Sequence, residues 1–266
     1  FVSRGGFGAD MGGRVAGVID MTGKTGGGDA PTVDVSLNPI HLNGFFGMPL
    51  TSKLAVSFAF RRSMLEYWNN YLAEKLLTGT LSFQPDQGFE ESVDRPEVKF
   101  LDMNGKITFS PEKGQEIYVS FLNGTDDQFR KYYFESGSRM YRSEMHVGRN
   151  GGMALGWNMQ KSKHWTHKFS TGFNLLSNNW ELNAGQLPNK NGKGGKISTE
   201  LDNNDLNEIR IDFQSAYKTS RWTHQFGGGF THNSLFYQFN SFSSSGNRTT
   251  DSLFYDRSLN VAHVFS

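Results

Sequence analysis

Cysteine is absent from the 266 residues, which removes disulfides and thiolate chemistry and says little about compartment. No run of about 18 apolar residues occurs, so no segment reads as a membrane-spanning helix. An excess of one charge is missing too. Lys+Arg 27 against Asp+Glu 26 leave a formal net charge of +1, which makes no global basic field and does not imply nucleic acid. Phe1 follows no basic region, apolar segment or small-residue cleavage site, so any export signal is expected to have been removed or to lie outside this chain. No arrangement of serine, histidine and carboxylate points to nucleophilic catalysis, and neither an enzyme nor a cofactor is expected.

What is present is glycine and phenylalanine, 31 and 23 residues, beside a mean hydropathy of -0.53. A membrane barrel hides its apolar half on alternate residues, so low average hydropathy is compatible with it. The alternation is explicit. Leu54, Val56, Phe58 and Phe60 interleave with Lys53, Ala55, Ser57, Ala59 and Arg61; Met153, Leu155, Trp157 and Met159 interleave with Ala154, Gly156, Asn158 and Gln160; Phe169, Phe173 and Leu175 interleave with Lys168, Ser170, Gly172 and Asn174. Each stretch reads as a strand with two unlike faces.

The pattern predicts about ten strands in an antiparallel meander of hairpins. Tight turns are expected at Asn38-Pro39, at Met48-Pro49-Leu50-Thr51, over 110–114, over 161–164 and over 218–221. Between them the chain reads as long loops at 62–97, 126–150, 177–206 and 232–256. Short connections alternating with long ones are the pattern of outer-membrane barrels. Phe109, Trp165, Tyr217 and Trp222 flank the short turns at lipid-facing parity and would form an aromatic girdle at the periplasmic interface. The expected fold is all-β, an antiparallel transmembrane β-barrel; a soluble sandwich or propeller with core aromatics shares the alternation.

Ahead of the strands lies Gly5-Gly6-Phe7-Gly8-Ala9-Asp10-Met11-Gly12-Gly13-Arg14-Val15-Ala16-Gly17-Val18-Ile19-Asp20-Met21-Thr22, then Gly23-Lys24-Thr25-Gly26-Gly27-Gly28. Glycine permits close backbone approach and positive φ. A phosphate-cradling loop is not supported, since no lysine and hydroxyl follow at P-loop spacing. This head resembles the end of the plug domain of TonB-dependent outer-membrane receptors, with Gly12, Gly13, Arg14 and Gly17 carrying the plug motif and Met11 standing where the family often has tyrosine. Met48-Pro49-Leu50 and Arg61-Arg62-Ser63-Met64-Leu65 are similar to later segments of that family. The resemblance implies that residues 1–28 are the end of a plug and its linker, and 29–266 the N-terminal part of a barrel. Such barrels have about twenty-two strands, so a longer polypeptide or a second chain is expected to complete this one.

The resemblance places ligand capture at the plug apex and the external loops. Candidates there are Trp68 and Tyr71, beside Tyr67, in a segment where Ser63 and Glu66 form a capping-box pattern for a short helix, and Arg130, Tyr132, Tyr133, Tyr141 and Trp180 further on. The same aromatics serve equally well to pack loops or meet a surface lipoprotein. His164 and His167 approach ligand spacing without a carboxylate, and no metal is expected there. Asp202-Asn203-Asn204-Asp205 offers oxygens to calcium but lacks the glycine and distal glutamate of an EF-hand, and Asp251-Ser252-Leu253 resembles an O-glycan acceptor tripeptide. Lys53, Arg61, Lys106, Lys168, Arg210 and Asp212 are expected to line a wet lumen. The implied function is import of a scarce ligand across a Gram-negative outer membrane. The implied partners are outer-membrane lipid and a TonB-type energy-transducing protein acting through a missing N-terminal segment. The alternatives are a transport-inactive scaffold subunit of an outer-membrane complex and an ordinary porin or soluble β protein.

Overall fold

The computed structural model describes residues 2–3, 18–19, 25–26, 28–65, 67, 90–136, 138–187, 195–243 and 251–265. Two short strands, β1 (Val2–Ser3) and β2 (Val18–Ile19), pair antiparallel at the head. Ten more form one antiparallel sheet in chain order: β3 (Thr32–Leu37), β4 (His41–Pro49), β5 (Leu54–Ser63), β6 (Glu90–Phe109), β7 (Gln115–Ser136), β8 (Ser138–Gln160), β9 (Trp165–Gln186), β10 (Lys196–Lys218), β11 (Thr223–Ser243) and β12 (Asp251–Phe265). The sheet is not closed, for β3 and β12 each have one neighbour. No helix occurs among the described residues.

The hairpin turns repeat one device. Asn38 Oδ1 accepts the amides of Ile40 and His41, both at 2.9 Å. Thr51 Oγ1 accepts those of Lys53 and Leu54 at 3.1 and 3.0 Å, Ser162 Oγ those of His164 and Trp165 at 3.2 and 3.1 Å, and Thr219 Oγ1 those of Arg221 and Trp222 at 3.4 and 3.0 Å. A short polar side chain thus satisfies two amides that the ladder cannot reach. In the turn between β6 and β7 the reversal falls instead on Gly114, at φ 83°, a conformation that a Cβ would strain.

Register carries the alternation across the sheet. Phe58 lies opposite Gly105 and Gly105 opposite Phe121; Phe121 faces Met153, Met153 faces Phe173, and Phe173 faces Ile209. The other face holds Ser57, Lys106, Ser120, Ala154, Gly172 and Arg210 in the corresponding order. Apolar side chains on the first face remain uncovered, Met153 at 60% and Ile107 at 52% exposure, and the buried hydrophobic residues among those described are Ala55 and Leu65 alone. Among the described residues the sheet is a single layer without a core on either side. Packing within the face is local: a Cβ at Gly105 would stand 2.3 Å from the Phe121 ring, so that ring lies across the glycine of the neighbouring strand.

Three of the four expected long loops are corrected by this structure, while most of the fourth, 62–97, lies outside the described residues. Most of residues 126–150, 177–206 and 232–256 belongs to strands, with β7 ending at Ser136, β8 beginning at Ser138 and β9 to β11 reaching 21 to 23 residues. These upper halves mix polar residues with scattered apolar ones such as Phe129, Met145, Leu201 and Phe236 and therefore give no sustained period-two hydrophobic signal, yet backbone pairing continues unbroken through them. Only a register shift between Asp94 and Glu97 interrupts the β6–β7 ladder. At β12 alternation and register part: Leu259 and Val261 share a face with Asn233 and Thr231, whereas Asn260 joins His232 on the apolar face, Nδ1 to Oδ1 at 2.6 Å. β12 takes its register from β11 alone, so no second neighbour opposes this placement.

Candidate functional site

The polar face has two regions. Its lower half, beside the short turns, is laced by charge. Arg61 meets Asp102 with Nε to Oδ2 at 2.7 Å, Lys106 lies 3.7 Å from Glu116 and 4.4 Å over the Tyr118 ring, Asn174 donates to Glu208 at 3.1 Å, and Arg210 pairs with Asp212. Between β3 and β6 this face forms a cleft of about 690 Å³ lined by Asp34, Ser36, Asn43, Phe45, Arg61 and Asp102. The glycine linker reaches the same face. Gly26 is buried, and a Cβ there would stand 1.8 Å from the Val56 carbonyl oxygen, while a Cβ on Gly47 would meet the Gly26 Cα at 3.2 Å. The chain passes so close to the wall of β4 and β5 that only glycine fits.

In the upper half, register sets two rows side by side on the polar face. Asp126, Gly148, Asn178, Asn204, Tyr237 and Tyr255 form one; Gln128, His146, Trp180, Asp202, Phe239 and Leu253 form the next. Tyr237 donates its hydroxyl to Asp202 Oδ2 at 3.3 Å, whereas Oδ1 of the same carboxylate is buried without a partner among the described residues. Partial desolvation, then the charge of Asp202 and its hydrogen bond, hold the Tyr237 phenol above the ordinary tyrosine value. Arg130 lies opposite Glu144, which pairs with Arg142. The result is a wall of amides, carboxylates, a guanidinium and aromatic rings, a donor set suited to a polyhydroxylated or peptide-like ligand.

Of the residues singled out from the sequence, Arg130 and Trp180 come to this wall, two strands apart. Tyr141 lies on the opposite face, in register with Tyr133 and Gly185. Tyr132 occupies the position opposite Arg142 and Val93. Trp68 and Tyr71, the expected helix after Ser63, and Gly12, Gly13, Arg14 and Gly17 lie outside the described residues; Ser63 itself ends β5, and Tyr67 accepts a hydrogen bond from Arg62 Nη2 at 2.7 Å. Gln128, His146, Tyr237 and Tyr255 were not read as site residues. Counting alternate positions upward from the short turns would have found them.

Asp202-Asn203-Asn204-Asp205 runs along an extended strand, so Asp202 and Asp205 point to opposite faces and do not converge on one ion. His164 Nδ1 donates to the Lys218 carbonyl at 2.7 Å, and His167 Nδ1 meets Ser215 Oγ at 3.0 Å; the two imidazoles are committed separately. Among the described residues no group of three His, Asp or Glu side chains could hold a metal. No family model matches the chain, and no curated protein or solved structure matches it.

Proposed function

We propose that this chain is part of a TonB-dependent outer-membrane transporter, in which the sheet is a segment of a transmembrane barrel and the upper polar wall receives the imported ligand. One observation carries the reading: the height of the apolar band. On β9 it covers 165–175 and on β10 207–217, after which the same face turns to Ser177, Asn179, Glu181 and Asn183, and to Asp205, Asn203 and Thr199 with Leu201 and Ile197 among them. A tilted strand crosses the hydrocarbon layer in about 9–11 residues. The band fits that thickness, and the strands continue beyond it with a mixed surface in which polar residues interrupt the alternation, as protein projecting into water does. A soluble sandwich would need a second sheet over the band, and Asn183 is instead tied to Ser143 and Thr199 at 3.5 and 2.6 Å where such a sheet would extend its core.

On this reading the polar face is the lumen wall, the Gly26 contact marks where the plug leaves it, and the Gly12-Gly13-Arg14 head belongs to the plug. Ligand is gathered at Trp180, Asp202 and Tyr237, and a pull on the plug from the periplasm opens the path. No chemical step is required. The test is uptake by cells carrying the protein, using ferric chelates, a corrinoid, oligosaccharides and peptides as probes, with and without a protonophore. Accumulation of one probe that the protonophore abolishes supports transport. Membrane localisation with no uptake, together with stable cross-links to other outer-membrane proteins, favours the scaffold; recovery in the soluble fraction defeats both.

A further inference from the structure

The short-turn end of the sheet is basic out of proportion to a chain whose net charge is +1. Lys53, Lys113, Lys161, Lys163 and Arg221 stand in the turns and Lys218 closes β10; all are exposed, and none forms an ion pair with a described residue. Facing them are Glu112, whose carboxylate accepts from Gln115 at 3.4 Å, and Asp29 on the approach to β3. These cations do not ride on independent loops. The Ser110 amide donates to the Lys53 carbonyl at 2.7 Å, Gln160 to Gly114 at 2.7 Å and Lys218 to His164 at 2.8 Å, which joins neighbouring turns into one rim.

Immediately above the rim, on the apolar face, sit the aromatic rings. Trp165 contacts Tyr217 at 4.9 Å between centroids, and Phe109 and Trp222 are 42% and 69% exposed. Tryptophan and tyrosine settle at the boundary between hydrocarbon and headgroups. Rings fixed at that depth hold the turn cations at the height of lipid phosphates, with lysine stems free to reach sideways. An acidic soluble protein would meet the same charges but has no use for a ring of exposed aromatics on the lipid side.

We propose that this rim is a binding surface for anionic phospholipid headgroups in the leaflet that the short turns face, with Lys161, Lys163, Lys218 and Arg221 as its centre. The inference rests on the membrane-spanning reading. Each cation near an anionic surface is worth about fivefold in local affinity, so a cluster sharing one rim yields a clear lipid preference that falls with added salt.

The experiment is tryptophan quenching of the protein reconstituted in bilayers containing either bromine-labelled phosphatidylglycerol or bromine-labelled phosphatidylcholine. Relative association is compared between the wild type and a variant carrying Lys161→Gln, Lys163→Gln, Lys218→Gln and Arg221→Gln. The expected result is about a fivefold or larger preference for phosphatidylglycerol in the wild type and near-equal association in the variant, with both lipids still quenching the variant. Equal association in the wild type, or a preference that survives in the variant, overturns the proposal while leaving the membrane reading intact. Absence of quenching by either lipid in the wild type overturns both. If the variant instead loses capture of soluble polyglutamate while its lipid preference is unchanged, the rim serves an acidic soluble partner and the lipid assignment falls.

Discussion

At the scale of single residues, position in the register decides what a side chain can do. Leu155 and Ser170 are on adjacent strands, one register position apart and on opposite faces: Leu155 lies across from Val119 and Thr171, Ser170 across from Gly156 and Asp212. In the membrane reading, arginine at Leu155 would enter hydrocarbon at a cost of about 2–4 kcal/mol near the midplane, whereas at Ser170 it would sit on the polar face in register with Asp212. Folding measured by heat-modifiable migration after reconstitution should fall sharply for Leu155→Arg and little for Ser170→Arg; equal effects would deny that the two faces see different solvents. Tyr237 offers a second residue-level test, well above the band. Its raised pKa means the protonated phenol is favoured in the folded state, so its contribution is complete below the ordinary tyrosine value and is lost as pH rises through the raised one. Tyr237→Phe should remove that alkaline loss of stability and take its amplitude from the late part of the phenolate absorbance titration; amplitude lost from the ordinary tyrosine range instead would mean the Asp202 contact does not persist in solution.

At the scale of elements, the sequence was legible wherever hydrophobic alternation and turn chemistry coincided. Asn38, Thr51, Ser162 and Thr219 mark hairpin turns because each can satisfy two amides of its own turn, and Trp165, Tyr217 and Phe109 mark the strand ends beside them. The upper halves of β7 to β11 were not legible as strands. Their stability comes from cross-strand polar pairs such as Asn183 with Thr199 and Asp202 with Tyr237, which depend on register and leave no periodic mark in one dimension. The same blindness hid His146 and Tyr237 from the site, while Trp180 and Arg130 were found because a tryptophan and an arginine draw notice wherever they fall. A chain without cysteine lets each element be probed by single introduced cysteines. Along β9, cysteine at Phe169 or Phe173 should resist a membrane-impermeant maleimide and cysteine at Asn179 or Glu181 should react, although all four share one face. Uniform reactivity along that face would contradict a band limited to the lower half. On β12, cysteine at Leu259 should react and cysteine at Ala262 should not; the reverse result would shift that strand by one residue against β11.

At the scale of the whole molecule, the open sheet poses an energetic problem that its interior does not. In the membrane reading, the free edges of β3 and β12 present unpaired amide and carbonyl groups, each costing several kcal/mol within hydrocarbon. Strands of the sheet centre have no such deficit, since β7 to β10 are hydrogen-bonded on both sides. Both edges must therefore be met by further strands, from the same polypeptide or from another, before the sheet rests stably in a bilayer. Hydrogen exchange gives the measurement. In residues 1–266 held in detergent, amides of β3 and β12 should exchange rapidly and those of β8 and β9 slowly, because exchange follows local opening. In the membrane-inserted assembly, protection at β3 and β12 should rise to that of β8 and β9. Edges that stay unprotected in the inserted assembly would mean that nothing closes this sheet, and a barrel would no longer describe it.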